Sequence, residues 1–375
     1  LIDETLNTVA QVHGVRGAHV VLPCSNLDET LKFFVGDLGF RVDAIWPADG
    51  PHTAVISGHG ARIKLALGAT GSAGVIQIAC DDPMAIAKGE TLLTAPNGTV
   101  IELVHSDAEI EVPPGIQSLI VSRASRDDEW GVGRAGMRYR DLISDRQGGR
   151  FIASHIHIAN GGPVPDYVHF HKIRFQMIFC HRGWVRVVYE DQGEPFVMQA
   201  GDCVLQPPRI RHRVLESSDD LKVIEIGCPA EHETIADHLL ALPTPAVNAD
   251  RDFSGQKFVR HVAAGAQWRS WRHDGYEYRD TGIGAATGAL AEVRVVRPNS
   301  AADATSSPKP ATSEAHSGEF YMMFVLNGSV TVSLDGEQQR FGESDCVTIP
   351  AKMRFGISEP SSDCEILEVA LPQLS

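Results

Sequence analysis

Two histidines separated by one residue, His169 and His171, are followed five residues later by Gln176 and further on by His212. Residues two apart on a strand leave the same face, so the first pair offers two imidazoles in one direction. Gln176 breaks that parity, which requires a short turn over Lys172 to Phe175. His212 arrives behind a Gly201-Asp202 turn and a Pro207-Pro208 corner, from a separate strand. Neutral imidazole is the commonest protein ligand for zinc, iron, nickel and copper. Three imidazoles and a carboxamide in this frame read as one site for a divalent ion. That ligand set is neutral, so the ion keeps its full charge and favours anionic chelating ligands such as an enolate, enediolate or catecholate. Fe(II) with two adjacent open positions would suit O₂ chemistry. Zn(II), Mn(II), Ni(II) or Cu(II) would act as Lewis acid and template without oxygen.

Glutamine is a poor general base, so proton transfer must use another group or a substrate ionised by the metal. His155 and His157 share one face of an apolar run, Phe151 to Ile158, and are candidates if that face points inward. Tyr167 lies just ahead of the ligands and would cap the cavity. Glu225 is the charged member of Val223-Ile224-Glu225-Ile226, either an inward acid or the polar side of a strand. Arg174 and Arg211 flank ligands and alternate outward.

The elements that hold these residues recur. Gly136-Met137-Arg138-Tyr139-Arg140-Asp141 returns as Gly275-Tyr276-Glu277-Tyr278-Arg279-Asp280, and Gly201-Asp202-Cys203 returns as Ser344-Asp345-Cys346. A period of about 140 residues is that of a whole domain. Aligning the copies sets Glu314, His316, Tyr321 and Phe355 where the first has His169, His171, Gln176 and His212, with Arg294 opposite His155 and Val296 opposite His157. Phe355 cannot coordinate a metal, so the second copy is expected to be metal-free. A weaker site on Glu314 and His316 is the alternative. Pro298 to Ser313, rich in Ala, Ser, Thr and Pro, reads as a loop.

The frame Gly162, His169, His171, Gln176, Gly183, followed by Gly201, Pro207 and His212, resembles the two motifs of the cupin superfamily. Gln176 replaces the usual glutamate, and Arg209 stands where the second motif has its second glycine. The resemblance implies a mainly β chain with two tandem β-barrels (a bicupin), one mononuclear divalent metal in the first, and a small-molecule substrate. Fe(II) dioxygenase chemistry on a chelating enol, hydroxy-ketone, catechol-like or carboxylate substrate is the leading implication. A non-oxidative isomerase, cyclase or lyase and a non-catalytic binding protein are the alternatives.

The first hundred residues differ. An apolar strand from Gly17 to Cys24, a helix capped near Asn26 and ending near Gly39, further strands, and a hairpin at Ala95 to Gly98 resemble the vicinal oxygen chelate fold of glyoxalases and extradiol dioxygenases. That resemblance implies metal ligands at His19 and Glu102, a vestigial second site because no third ligand occurs near Val75 to Gln77. Its second half lacks room for a full helix and is short of one strand. The expected domains are 1–108 (shortened α+β module), 136–240 and 261–375 (barrels), with 109–135 and 241–260 as linkers.

At 375 residues with 43% hydrophobic and 22% charged residues, the chain is long enough for two or three cores. A formal charge of −15 argues against nucleic acid or an anionic membrane as partner. Seven scattered cysteines, no apolar run of membrane-spanning length and no signal-peptide layout at Leu1 to Glu4 lead to the expectation of a cytoplasmic protein. Exposed strand edges favour a homo-oligomer, a dimer being the simplest.

Overall fold

A computed structural model describes residues 17–87, 89–125, 130–133, 137–299 and 313–372. Gly136, the first four residues and most of the loop expected at Pro298 to Ser313 lie outside them. The chain divides into a smaller unit ending at Glu109 and a larger one beginning at Ile110.

The smaller unit is built from two half-modules. In the first, Val20–Cys24 pairs in parallel with Ala61–Leu67, and Thr53–Gly58 and Arg41–Trp46 complete a four-stranded sheet. The intervening helix, Leu27–Lys32, starts where Asn26 accepts a hydrogen bond from the Glu29 amide; that bond satisfies one of the orphan donors of its first turn. The chain then continues as a π-helical turn to Asp37 and leaves it at Gly39, whose φ is +71°. The second half-module repeats the parallel pairing with Val75–Cys80 and Val100–His105, but only Leu92–Thr94 joins them. Its helix, Pro83–Ile86, is four residues long. The missing strand and the short helix agree with the sequence reading. Phe34, Ile56, Leu65 and Ile101 close the core between sheets and helix.

The larger unit holds two double-sheeted β-barrels, each with one seven-stranded sheet facing a smaller one. In the first, Phe175–Arg182, Leu221–Cys228 and Ile152–Ile158 lie at the centre of the large sheet. The opposing sheet contains Trp184–Tyr189, His212–Ser217 and His169–His171. In the second, Phe320–Asn327, Glu365–Leu371 and Glu292–Pro298 are the corresponding central strands. Both large sheets are buried on two faces. Phe175, Met177 and Phe179 share one core with Phe320, Met322 and Phe324, while the alternate residues Ile178 and Cys180, or Tyr321 and Met323, face the barrel interiors. This explains why Phe320 to Leu326 is apolar throughout instead of alternating. Phe151 stacks on Phe320 at 4.5 Å across that shared core, an aromatic pair contributing roughly 1 kcal/mol beyond its burial.

The two stretches expected as linkers are structural. Ile120–Ser122, ahead of the first barrel, pairs with Cys346–Thr348 of the second. Val259–His261, ahead of the second barrel, pairs with Cys203–Leu205 of the first. Each barrel's large sheet thus ends on a strand that precedes the other barrel, which protects both edges from further pairing. Among the described residues no helix is long and apolar enough to cross a membrane.

Candidate metal centre

His169–His171 ends in the small sheet, and after the turn at Lys172 to Arg174 the chain re-enters in the large sheet as Phe175–Arg182. The change of sheet resolves the parity problem: Gln176, arriving from the opposite wall, lines the same cavity as both histidines. His212 opens its strand directly across from His169 in the ladder. The preceding turn contains Arg209 at φ +65°, the left-handed conformation that glycine adopts at no steric cost. Its amide donates to the His171 carbonyl at 3.0 Å, which anchors the turn against the ligand strand.

One ring nitrogen from each of His169, His171 and His212 lies within 4.8 Å of the others. Their orientation is set from behind. His169 Nδ1 donates to the Tyr167 carbonyl at 2.8 Å, with the buried Asp166 carboxylate 3.7 Å away. His212 Nδ1 donates to the Ile210 carbonyl at 3.0 Å, and His171 Nδ1 lies 3.0 Å from the Thr234 hydroxyl. Protons held on Nδ1 leave the Nε2 lone pairs as the donors, the tautomer that a metal requires. His212 Nε2 accepts a hydrogen bond from Gln206 Nε2 at 2.8 Å, so its lone pair is indeed available. Three converging imidazole donors fit a divalent ion, and Gln206 would turn aside on loading.

Gln176 donates through Nε2 to Glu225 Oε1 at 2.5 Å. That contact directs the amide nitrogen toward the carboxylate and makes Oε1 the atom offered as a ligand. It also changes the charge argument. The ligand set is neutral, but one carboxylate stands directly behind it. The cavity measures about 320 Å³, with an apolar wall including Ile156, Ile178, Val185 and Val223. Among the described residues no lysine or arginine lines it.

His155 and His157 do not line this cavity. Ile152, Ser154, Ile156 and Ile158 do, so strand alternation turns both histidines to the other face. His155 is buried against Phe324 of the second barrel, and His157 Nε2 meets Asp220 at 2.8 Å. Strand pairing also corrects the repeat alignment: Arg140 sits opposite His155 and Arg279 opposite Val295, so Val295 rather than Arg294 is the counterpart, and Arg297 replaces Val296. Tyr167 is not among the lining residues and acts through its backbone carbonyl. Glu225 faces inward. Arg174 and Arg211 point away, to Glu319 and Asp237.

Sequence reading missed Gln206, Tyr189 and His232, all of which line the cavity. Burial raises the Tyr189 phenol, which therefore stays neutral beside His212. The signal for Gln206 was in the repeat, where Ile349 is its apolar counterpart. His232 has no such marker, because it lies in the turn between Leu221–Cys228 and Thr234–Ala236, beyond the repeated motifs.

In the second barrel Glu314 pairs with Phe355, the ladder position of His169 and His212. Arg272 Nη2 donates to Glu314 at 2.8 Å, to Glu368 at 2.6 Å and to the Tyr321 hydroxyl at 3.0 Å. Burial opposes the guanidinium charge, but Glu368 and Glu314 outweigh it and push the arginine further up. His316 donates to the Ile349 carbonyl at 2.7 Å. Glu314 and His316 Nε2 are thus committed to protein partners, and with Phe355 across the ladder the buried His316 Nδ1 is left without a second ligand beside it, against the alternative of a weaker metal site.

In the smaller unit His19 is exposed just ahead of Val20–Cys24, in one sheet, and Glu102 lies in the other, 3.4 Å from Gln77 Nε2. Among the described residues no third histidine, cysteine or carboxylate groups with them.

Residues 16–128 match the family model of the Glyoxalase/Bleomycin resistance protein/Dioxygenase superfamily. No curated protein matches the chain. Among solved structures, salicylate 1,2-dioxygenase from Pseudaminobacter salicylatoxidans aligns with TM-score 0.50 at 14% identity, over 69% of this chain and 86% of its own. The Escherichia coli protein Ylba aligns with TM-score 0.48 at 10% identity, over 72% and 96%. Oxalate decarboxylase from Lactobacillus farciminis aligns with TM-score 0.49 at 13% identity, over 70% and 89%. The chain combines a glyoxalase-type N-terminal module with tandem cupin barrels.

Proposed function

We propose that the chain is a mononuclear metal-dependent cupin enzyme, acting in its first barrel as an Fe(II) dioxygenase on a small chelating organic substrate. The observation that carries the proposal is the convergence of His169, His171 and His212, their Nδ1 atoms tied from behind, at the polar end of an apolar cavity. Gln176 Oε1 supplies the fourth ligand. The fold likeness to a salicylate dioxygenase supports this choice of chemistry. When bound, the metal supplies Lewis acidity, a template and, as Fe(II), access to O₂.

The chain's own residues then define the substrate. With no lysine or arginine among the described lining residues and the Glu225 carboxylate present, a free carboxylate entering the cavity would have only the metal to attract it. An enolisable ketone, hydroxy-ketone or catechol-like molecule would enter neutral, and a metal held by His169, His171, His212 and Gln176 would supply the positive charge that favours its anion. Its apolar part rests on Ile156, Ile178 and Val223, which exclude water. Gln206, beside His212 in the same lining, would be placed to donate to a substrate oxygen, and Glu225 holds Gln176 in place.

A non-oxidative isomerase, cyclase or lyase is the second reading. It is favoured by one observation: Glu225 and His232 both line the cavity and supply the acid–base groups such a reaction needs. Anaerobic loading with Fe(II), followed by an oxygen electrode with 1,3-diketones, hydroxy-ketones and catechols, separates the two. Oxygen uptake dependent on iron supports the dioxygenase. Turnover with zinc or manganese and no oxygen uptake contradicts it in favour of the second reading.

A further inference from the structure

The seam between the barrels has an approximate internal symmetry, and its two sides are filled differently. On one side Arg140 donates to the Ser344 carbonyl at 2.7 Å and lies 3.4 Å from His155 Nδ1. His155 in turn contacts His181 at 3.2 Å, and His181 Nε2 donates to the Leu326 carbonyl at 2.9 Å. His155 fills the space on this side, and His181 reaches on to line the pocket of the other. On the other side the counterpart of Arg140 is Arg279, and the counterpart of His155 is only Val295. There the seam opens into a pocket of about 700 Å³.

Arg279 is 4% exposed, lines this pocket, and its Nε has no hydrogen-bond partner. Desolvation by burial holds the guanidinium below its usual range, with Glu365 as the largest opposing influence. A buried guanidinium donor without an acceptor is destabilising until one reaches it. The other arginines of the lining are already matched: Arg297 bonds Glu277 at 2.7 Å, and Arg182 reaches Asp220 at 3.5 Å. Two lining carboxylates, Glu343 and Glu365, form no ion pair among the described residues. Ala263, Ala264, Leu326 and Trp268 supply an apolar floor. Arg279, its Nε without an acceptor, thus shares the pocket with His181 and with two carboxylates that form no close ion pair, Glu365 being the one that most offsets its burial.

We propose that this pocket binds a small zwitterion of the α-amino-acid class, its carboxylate on Arg279, its ammonium toward Glu343 and Glu365, and an apolar side chain over Ala263, Ala264 and Leu326. A simple carboxylate satisfies Arg279 but is repelled by the glutamates, and a simple amine leaves the guanidinium unsatisfied. The site is separate from the metal cavity and stands independently of the activity proposed there.

Calorimetric titration of the full chain with phenylalanine, 3-phenylpropionate and phenethylamine tests this. Phenylalanine is expected to bind saturably, the other two at least about tenfold more weakly, the order for losing one charge-assisted contact. Arg279→Gln should weaken phenylalanine by a similar factor. Should that variant fail to fold, Glu365→Gln keeps the test decisive, because it should narrow the preference for phenylalanine over 3-phenylpropionate. Absence of saturable phenylalanine binding, equal binding of 3-phenylpropionate, or an unchanged preference in Glu365→Gln would overturn the proposal.

Discussion

In the first barrel His169 faces His212 across the ladder, Gln176 comes from the opposite wall, and Glu225 stands behind it. At the corresponding places in the second barrel stand Glu314, Phe355, Tyr321 and Glu368, and a guanidinium from outside the repeated set joins three of them. Both arrangements present a carboxylate at the position of Glu225 and Glu368. In one it braces Gln176, the fourth ligand of the proposed metal centre; in the other it holds a cation built into the chain. The same scaffold therefore tolerates either a cavity or a plug. The choice turns on whether two imidazoles or a carboxylate and a phenyl ring occupy the ladder pair.

The largest expected effect comes from the first barrel. His171→Ala should lower metal affinity at least about a hundredfold, since two imidazoles and an amide hold a divalent ion poorly, and should abolish activity. Metal content after dialysis checks the first part. The complementary break is Arg272→Ala, which leaves Glu368 (4% exposed side chain) without its cation. A loss of roughly 3 kcal/mol is expected for such a partly buried cluster, read by denaturant unfolding. Metal content of the first barrel should not change.

The pH dependence sharpens the contrast at the seam. Burial, reinforced by His181 and Arg140, depresses His155 from 6.5 to about 2. A folded pKa below the unfolded one means that the unfolded chain binds more protons between those values. Stability contributed by neutral His155 is therefore present above about 6.5 and falls as pH drops toward 2, by at most about 1.4 kcal/mol per pH unit. His155→Val, which copies the second barrel's Val295, should flatten the fall in melting temperature between pH 6.5 and 5. An equally steep profile in the variant would contradict the assignment. The smallest effect is that of Gln176→Glu. It sets a second carboxylate against Glu225, and should cost the metal-free protein roughly 1 kcal/mol while tightening divalent metal binding, both measurable by melting with and without zinc.

The repeat and the ligand spacing were legible because they are local or periodic. Gly183 and Gly328, at φ +76° and +66°, mark the same turn in each barrel, and Gln176 could be placed once a turn was granted. The inward face of Phe151 to Ile158 was not legible, because a strand buried on both sides carries no polar–apolar alternation to orient His155 and His157. Arg272 escaped notice for another reason: it lies ahead of the repeated motif, and only the fold brings it to Tyr321 and Glu314. The linkers were misread because a three-residue strand such as Ile120–Ser122 is defined by its partner, 224 residues or more away in sequence. Composition at that length says nothing of pairing.

The central claim is that one barrel holds an ion and the other holds a guanidinium in its stead. Metal stoichiometry of the purified full chain, measured by mass spectrometry beside a His169→Ala/His212→Ala variant, tests it most directly. The account expects about one ion per chain in the native protein and none retained in the variant. Two ions per chain, or an ion retained in the variant, would contradict it.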